Sequence, residues 1–348
     1  MKSQIKKQLD KYKEKRYNIR HGKEALKILD VIEKDTNYKL SNKMRSTIDD
    51  YALEILGSKM YAPWLYVYTA YNQEFKEGWI PDNYFGYIVA PKVNKGLGTL
   101  AATKTLSKKV LHTDLLPDKF YIIDDTLYDL NYNIIPNDKI KGNLFKESNE
   151  LFLKLDNSNQ ARGVFKISSE NFNLKQLFDK GDAVIQSPIK QADFFEEVVP
   201  GSVATLRINT IKNNNHQIVF SSSFLRFGRL NEEFVKVNSS INVPILDING
   251  TFGEFASDPI WKRHYSHPDT GFKFAGNKIP FFKNAVDACI KLHQKMPHLG
   301  IIAWDISLSN EGKIYLMEWN AKHPGIKFPE AAVGPTFKDL NWDKLHKK

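Results

Sequence analysis

The chain has 348 residues, 42% of them hydrophobic, and a formal net charge of +10; that is an ordinary globular composition, long enough for two or three domains or subdomains. No apolar run reaches about 18 residues, so no membrane-spanning helix is expected, and the opening MKSQIKKQLDKYKEKR lacks the apolar middle of a secretory signal. The single cysteine, Cys289, excludes an internal disulfide and fits a reducing cytoplasm.

Residues 1–58 read as helical: Ile5, Leu9 and Tyr12, then Leu26, Leu29 and Ile32, then Met44, Ile48, Tyr51 and Leu56 recur at helical spacing, the last set opened by Ser41 as N-cap. This segment is strongly basic, with 14 Lys and Arg against 6 Asp and Glu in residues 1–45. Such a stripe suits an anionic membrane face, an acidic substrate or nucleic acid. No zinc-ligand cluster or recognition-helix pattern accompanies it, so nucleic acid is not expected. Residues 59–96 are aromatic and broken, which suits a packed connector better than a disordered linker.

Beyond residue 98 helices and strands alternate. Thr103–His112 reads as a helix; FYIIDD, ELFLKL and GVFKI read as strands; NLKQLFDKG reads as a short helix closed by Gly181; DAVIQ reads as a buried strand. VATLRINTI and QIVFSSSFLRF form a predicted hairpin around residues 212–216. A helix at 280–296, carrying Cys289 in its apolar stripe, leads to a last hairpin at 301–320. Mixed strand and helix runs with antiparallel hairpins argue for an α+β fold rather than a doubly wound parallel sheet.

That last hairpin carries two carboxylates in apolar surroundings, Asp305 and Glu318. A two-residue turn at Glu311–Gly312 sets them directly opposite each other; a bulge or longer loop shifts that register. Alternation then places Ile301, Ala303 and Asp305 on one face with Leu316, Glu318 and Asn320. Like charges opposite each other destabilise a sheet, so a positive group belongs between them. With Asn320 on the same face, Mg²⁺ is a better candidate than a lysine or arginine, because it takes hard oxygen ligands.

Upstream, Lys154 precedes a small polar loop, 156–163, that suits covering a polyphosphate, with Gly163 and Val164 at its end. Arg207 falls on the polar face of its strand and Arg226 on the neighbouring one, where guanidinium forks suit anionic oxygens. His267 and His323 each precede a proline and read as loop histidines. No nucleophile elbow, Walker loop or dinucleotide fingerprint is present.

Taken in order, a lysine near 104, Lys154 before its loop, the hinge AVIQSPIKQ, SVATLRINT, SSFLRFG, HPDTG and AWDISLSNEGKIYLMEWN resemble the sugar-transfer-associated family of the ATP-grasp superfamily over about residues 90–335. The resemblance implies an α+β ATP-grasp fold, two subdomains gripping ATP, behind a small helical region: 1–58 helical, 59–96 connector, 97–190 small subdomain, 191–348 large subdomain with the metal site. It implies ATP and Mg²⁺ as cofactors. Lys104 (with Lys108 as its rival), Lys154, Gly163 and Val164 match nucleotide contacts; Gln186, Ser187 and Ile189 match the adenine hinge, with Gln191 toward the ribose. Arg207 matches the arginine beside the transferring phosphate, with Lys154 and Arg226 as its catalytic companions. Asp305, Glu318 and Asn320 match the metal ligands. Two departures stand out: Gly163 alone replaces a glycine-rich loop, and KVNSSIN at 236–242 replaces a Gly-Gly.

The implied activity is carboxylate–amine ligation through an acyl phosphate, joining an amino acid or small carboxylate to an amino or carboxyl sugar of a surface polysaccharide such as a capsule or O-antigen. An ATP-grasp kinase of sugars or polyols and a non-catalytic nucleotide-binding scaffold are the alternatives. The implied setting is cytoplasmic, with peripheral contact to the inner membrane face or a lipid-linked glycan through the basic N-terminus.

Overall fold

The computed structural model describes residues 2–158 and 162–347. The basic N-terminal segment is one long helix, α1 (Lys2–Thr36), followed by α2 (Asn42–Glu54) and α3 (Ala62–Asn72). The Ser41 hydroxyl accepts from the Met44 amide at 3.2 Å, capping α2 as its position in the sequence predicts. Helix α3 is apolar on every side, with Trp64, Leu65, Val67 and Tyr68 all fully buried, as expected of a helix at the centre of a core.

Residues 59–96 are packed, and they form the middle of a helical core. Ala25, Ile28 and Ile32 of α1 and Ile48 of α2 pack on them from one side. Ile326, Phe328, Phe337 and Trp342 pack on them from the C-terminal end. The Trp79 indole donates to the Glu330 carbonyl at 2.7 Å, and the Tyr84 hydroxyl to the Trp342 carbonyl at 3.0 Å. Apolar residues on both sides of residue 58 bury against each other.

Two antiparallel sheets follow. The smaller has β1 (Asp118–Ile123), β2 (Thr126–Tyr128), β3 (Glu150–Leu155), β4 (Val164–Ser168) and β5 (Ala183–Gln186), ordered β2-β1-β5-β3-β4. Alternation sends Leu151, Leu153, Ala183 and Ile185 into its own core. Lys154 and Gln186 consequently point to the opposite face.

The larger sheet has β6 (Thr205–Lys212), β7 (Ile218–Phe227), β8 (Ile241–Ile245), β9 (Ala256–Ser257), β10 (Arg263–His264), β11 (Ile301–Leu308) and β12 (Ile314–Asn320), ordered β10-β9-β8-β7-β6-β11-β12. Its back face, with Leu206, Ile208, Trp304 and Ile306, packs on α4 (Phe282–Gln294) through Ala285, Val286 and Cys289. Cys289 is core, as its stripe implies; burial pushes its thiol far above the ordinary range. Every strand pair in both sheets is antiparallel, which is the α+β arrangement expected.

Candidate active site

The hairpin β11–β12 pairs Asp305 with Glu318, as the sequence arithmetic predicts, but by a different route. The connection is a three-residue loop, Asn310–Gly312: the Ser309 amide donates to the Lys313 carbonyl at 3.0 Å and Gly312 takes a positive φ of 74°. That loop moves the ladder by one residue, so Leu308 faces Ile314 and Ile306 faces Leu316. A bulge at Met317 then restores the register, and Asp305, Trp304 and Ala303 face Glu318, Trp319 and Asn320. Leu316 accordingly leaves the face predicted for it and lies fully buried in the core behind the sheet.

The chain's own positive group beside the carboxylates is an arginine, which adds to the metal expected there a counter-charge that the hairpin alone does not reveal. Strand β11 lies between β6 and β12, so Asp305 has two cross-strand neighbours, and the second is Arg207. Arg207 Nε donates to Asp305 Oδ1 at 2.6 Å and Nη2 to Oδ2 at 2.5 Å, a bidentate fork. Asn320 Nδ2 lies 3.4 Å from both Asp305 Oδ2 and Glu318 Oε1.

Burial works against ionising either carboxylate. Arg207, then Arg226, overcome it at Asp305 and hold its carboxyl below the usual range. Glu318 is pushed up by burial and then by Asp305 beside it. The pair behaves as one strongly ionised acid and one reluctant one.

Strand β3 of the small sheet brings Lys154 over this hairpin, with its Nζ 3.4 Å from the Met317 carbonyl. Burial pulls the Lys154 ammonium below its ordinary range, while Glu318 and then Asp118 pull it back. Lys104 Nζ donates to the carbonyls of Leu155 and Ser158, each at 3.0 Å, and so ties the start of the polar loop. Burial lowers its pKa too, against the pull of Glu318. Its rival Lys108 instead pairs with Asp114 at 2.7 Å.

Arg226 is held by a single 3.3 Å bond from Nε to Asn242. Burial, and then Arg207, bring its pKa down to about 10. Both guanidinium groups flank the ring of Phe224, with Cζ to centroid distances of 5.8 Å for Arg207 and 5.4 Å for Arg226.

Four predicted cations thus converge with Asp305, Glu318 and Asn320 in the cleft between the sheets. Gln186 joins its edge: its amide donates to Asp118 Oδ1 at 2.7 Å, and the Ser187 amide continues the strand to the Pro117 carbonyl at 2.9 Å. Ile189, two residues on, is half-buried. Gln191 does not reach the cleft. Its side chain is consumed internally, donating to Glu196 at 2.7 Å and accepting from the Ala204 amide at 2.8 Å.

Gly163 packs so tightly on Ser158 that a Cβ there would collide with its side chain, and Val164 begins β4 opposite Lys154. Residues 159–161 of the polar loop lie outside the described residues. His267 is buried against the Gly228 carbonyl at 3.0 Å, a structural role.

The sequence reading missed Asp118, a buried carboxylate held by Gln186 and Tyr121 and pushed up by burial. It sits 68 residues from its partner Gln186, and no local spacing marks it. At Gly325 a Cβ would lie 3.1 Å from Arg207 Nη1, so the segment after Asn320 passes close to the arginine.

Among the described residues no three His, Cys, Asp or Glu side chains form a metal cluster. The donor set here is two carboxylates and an amide on one strand pair. All three offer oxygen, and the carboxylates are crowded enough that one resists ionising, which fits a hard divalent cation such as Mg²⁺.

No curated protein sequence matches the chain. Among solved structures it is similar to N5-carboxyaminoimidazole ribonucleotide synthetase from Thermotoga maritima, at 14% identity over 68% of this chain and 49% of that one, with a TM-score of 0.36. It is also similar to the biotin carboxylase domain of Hydrogenobacter thermophilus 2-oxoglutarate carboxylase, in complex with MgADP, ADP and bicarbonate, at 11% over 71% and 46%, TM-score 0.43. A third is the VanG D-Ala:D-Ser ligase of Enterococcus faecalis, at 10% over 71% and 61%, TM-score 0.40. The chain spans about half the length of the first of these structures. The family model described as sugar-transfer associated ATP-grasp matches residues 134–343.

Proposed function

Because this chain belongs to the sugar-transfer associated ATP-grasp family, we propose that it is an ATP-dependent ligase that joins a small carboxylate, such as an amino acid, to an amino sugar of a surface-polysaccharide precursor through an amide. The observation that carries this reading is the cleft: Lys104, Lys154, Arg207 and Arg226 converge there on Asp305 and Glu318. With Asp118 and Asp156 at the edges, the four cations gather around Asp305 and Glu318, a concentration of lysine and arginine suited to a polyphosphate.

In this reading the backbone of Gln186–Ile189 meets the adenine, and Lys104 and Lys154 meet the phosphates. Asp305, Glu318 and Asn320 would hold Mg²⁺, which when bound neutralises charge on phosphate oxygens. Transfer of the terminal phosphoryl group to a substrate carboxylate gives an acyl phosphate and ADP. Attack by the amine then forms the amide, releases phosphate and leaves a proton for solvent. No protein nucleophile is required, because positioning and charge neutralisation supply most of the acceleration of phosphoryl transfer. Arg226, with one light tether and no carboxylate on its fork, is placed to orient the incoming carboxylate. Arg207 keeps Asp305 ionised, and the bare Gly325 leaves room for its guanidinium.

The test is product analysis with ATP, a panel of amino acids and candidate amino sugars. ADP and inorganic phosphate appearing together, only when carboxylate and amine are both present, supports the ligase. ADP with a phosphorylated sugar and no free phosphate replaces it with a kinase. An acceptor carried on a lipid would bring the enzyme to the inner face of a membrane, which asks for a membrane-binding surface on the chain.

A further inference from the structure

Helix α1 has two unlike sides. Asn18, His21, Ala25, Ile28, Leu29 and Ile32 are buried and form the side that docks on the helical core. About half a turn round, at a helical period of ~3.6 residues, Ile5, Leu9, Tyr12, Ile19 and Leu26 are 59, 49, 58, 44 and 47% exposed. They follow one another at spacings of three, four or seven, a straight stripe along the helix. Isolated exposed apolar residues need no explanation, whereas a stripe of five on one element does.

The charges are sorted between these sides. Lys15, Arg16, Arg20, Lys23 and Lys27 lie within or beside the apolar stripe, and all are exposed. Between residues 5 and 27 the only acids are Asp10, Glu14 and Glu24, and each lies toward the docked side. Glu24 pairs with Lys327 at 2.7 Å, Glu14 accepts from the Tyr61 hydroxyl at 3.4 Å, and the Asp10 carbonyl accepts from the Tyr87 hydroxyl at 3.2 Å. Between residues 5 and 27 the outward face therefore presents apolar and basic groups with neutral Gln8 and no acid; one turn further on, the exposed Asp30 is already paired with Lys34 at 2.6 Å.

We propose that this outward face of α1 binds the surface of an anionic lipid bilayer, with the helix lying in the interface. Apolar side chains that enter the acyl boundary, with cations beside them at headgroup level, are what an interfacial helix requires. A second copy of the chain fits poorly. Arg16 and Lys23 occupy the same stripe as Ile19 and Leu26, so two such faces would bring cations together, and the one acid in line with them, Asp30, is already taken by Lys34. A polynucleotide would use the cations and leave the apolar stripe in water. No helix among the described residues is long and apolar enough to cross a membrane, so attachment is peripheral. Binding of this kind requires nothing of the ligase chemistry and stands or falls separately from it.

The experiment is co-sedimentation of the full chain with vesicles of phosphatidylcholine alone and of phosphatidylcholine with phosphatidylglycerol. The chain sediments with the anionic vesicles at least about tenfold more strongly, and rising salt releases it, because exposed charges are screened. Arg16→Ala with Lys23→Ala weakens binding about 25-fold, at about fivefold for each cation near an anionic surface. Ile19→Glu with Leu26→Glu removes it. Both double variants keep the wild-type thermal melt, since the altered side chains touch water. Equal binding to neutral and anionic vesicles, or full binding by the Glu variant, overturns the proposal. So does a concentration-dependent dimer that the Glu variant abolishes while vesicles capture nothing.

Discussion

Replacing Asp305 and Glu318 one at a time separates the two carboxylates that the hairpin sets face to face. Asp305→Asn keeps the shape but removes the negative charge from a fork that Arg207 fills at 2.5 and 2.6 Å. Asp305 is 3% exposed and Arg207 is largely buried, so the arginine is left in the cleft without its partner. Breaking a buried pair by removing one member costs about 3–5 kcal/mol. The Asn oxygen still accepts one bond and Glu318 remains nearby, which places the loss at about 3 kcal/mol. The Asp305 carboxyl sits below its ordinary range, so its contribution is present above the unfolded carboxylate pKa and fades as pH falls through the lower folded value.

Glu318→Gln acts differently. It removes a repulsion from Asp305 and attractions to Lys154 and Arg207, all partly screened because Glu318 is only half-buried. The repulsion and the attractions have opposite signs and offset each other, so stability changes by less than about 1 kcal/mol. Urea unfolding of both variants at neutral pH reads the difference, and nucleotide-dependent turnover falls in both. If Glu318→Gln proves as destabilising as Asp305→Asn, the two carboxylates are not in the unequal states argued from their surroundings.

Lys154→Met retains the buried stem and removes the ammonium that meets the Met317 carbonyl. Titration calorimetry with MgADP should show affinity down about 10- to 100-fold, the worth of one bond to a charged group, while the melting temperature holds or rises; unchanged affinity removes Lys154 from the nucleotide site. Far from the cleft, Glu330 is fully buried, and burial pushes its carboxyl up to about 8 although the Ile80 and Thr336 amides and the Thr336 hydroxyl donate to it. With the folded pKa above the unfolded one, its contribution is complete below about 4.5 and is lost as pH rises through about 8. Glu330→Gln should therefore flatten the decline in stability between pH 5 and 8 by a few kcal/mol, read from denaturant melts at both ends; an unaltered slope assigns the decline to other groups.

What the sequence made legible follows the range of the forces involved. Strand alternation and helical periodicity are local, and they located β3, β5, β6, α4 and the Ser41 cap within a residue or two. The Asp305–Glu318 pairing on β11 and β12 was legible because a hairpin relates the two by counting. Arg207 was readable as a cleft residue, but its bond to Asp305 depends on β6 and β11 being neighbours across 98 residues of chain, which counting cannot supply. Asp118 was invisible for the same reason. Residues 59–96 look like a connector in sequence because their aromatic residues lack a clean period. A helix buried on all sides has no polar face to create one.

The hairpin shows why a correct register can rest on a mistaken turn. With a two-residue turn and no bulge, Leu316 would pair with Ser307 and share a face with Asp305, leaving an apolar side chain among the charges of the cleft. The three-residue loop shifts the turn-proximal half of β12, and Leu316 enters the core beside Trp304 and Ile306. The bulge at Met317 shifts the other half back, and Glu318 and Asn320 face the cleft. One strand thereby serves two faces with residues two apart, which strict alternation forbids. The bulge does a second thing, since a residue outside the ladder keeps its backbone groups free for other partners. The Met317 carbonyl is the group that Lys154 approaches from the other sheet, so the irregularity that aims Glu318 also carries a contact across the cleft.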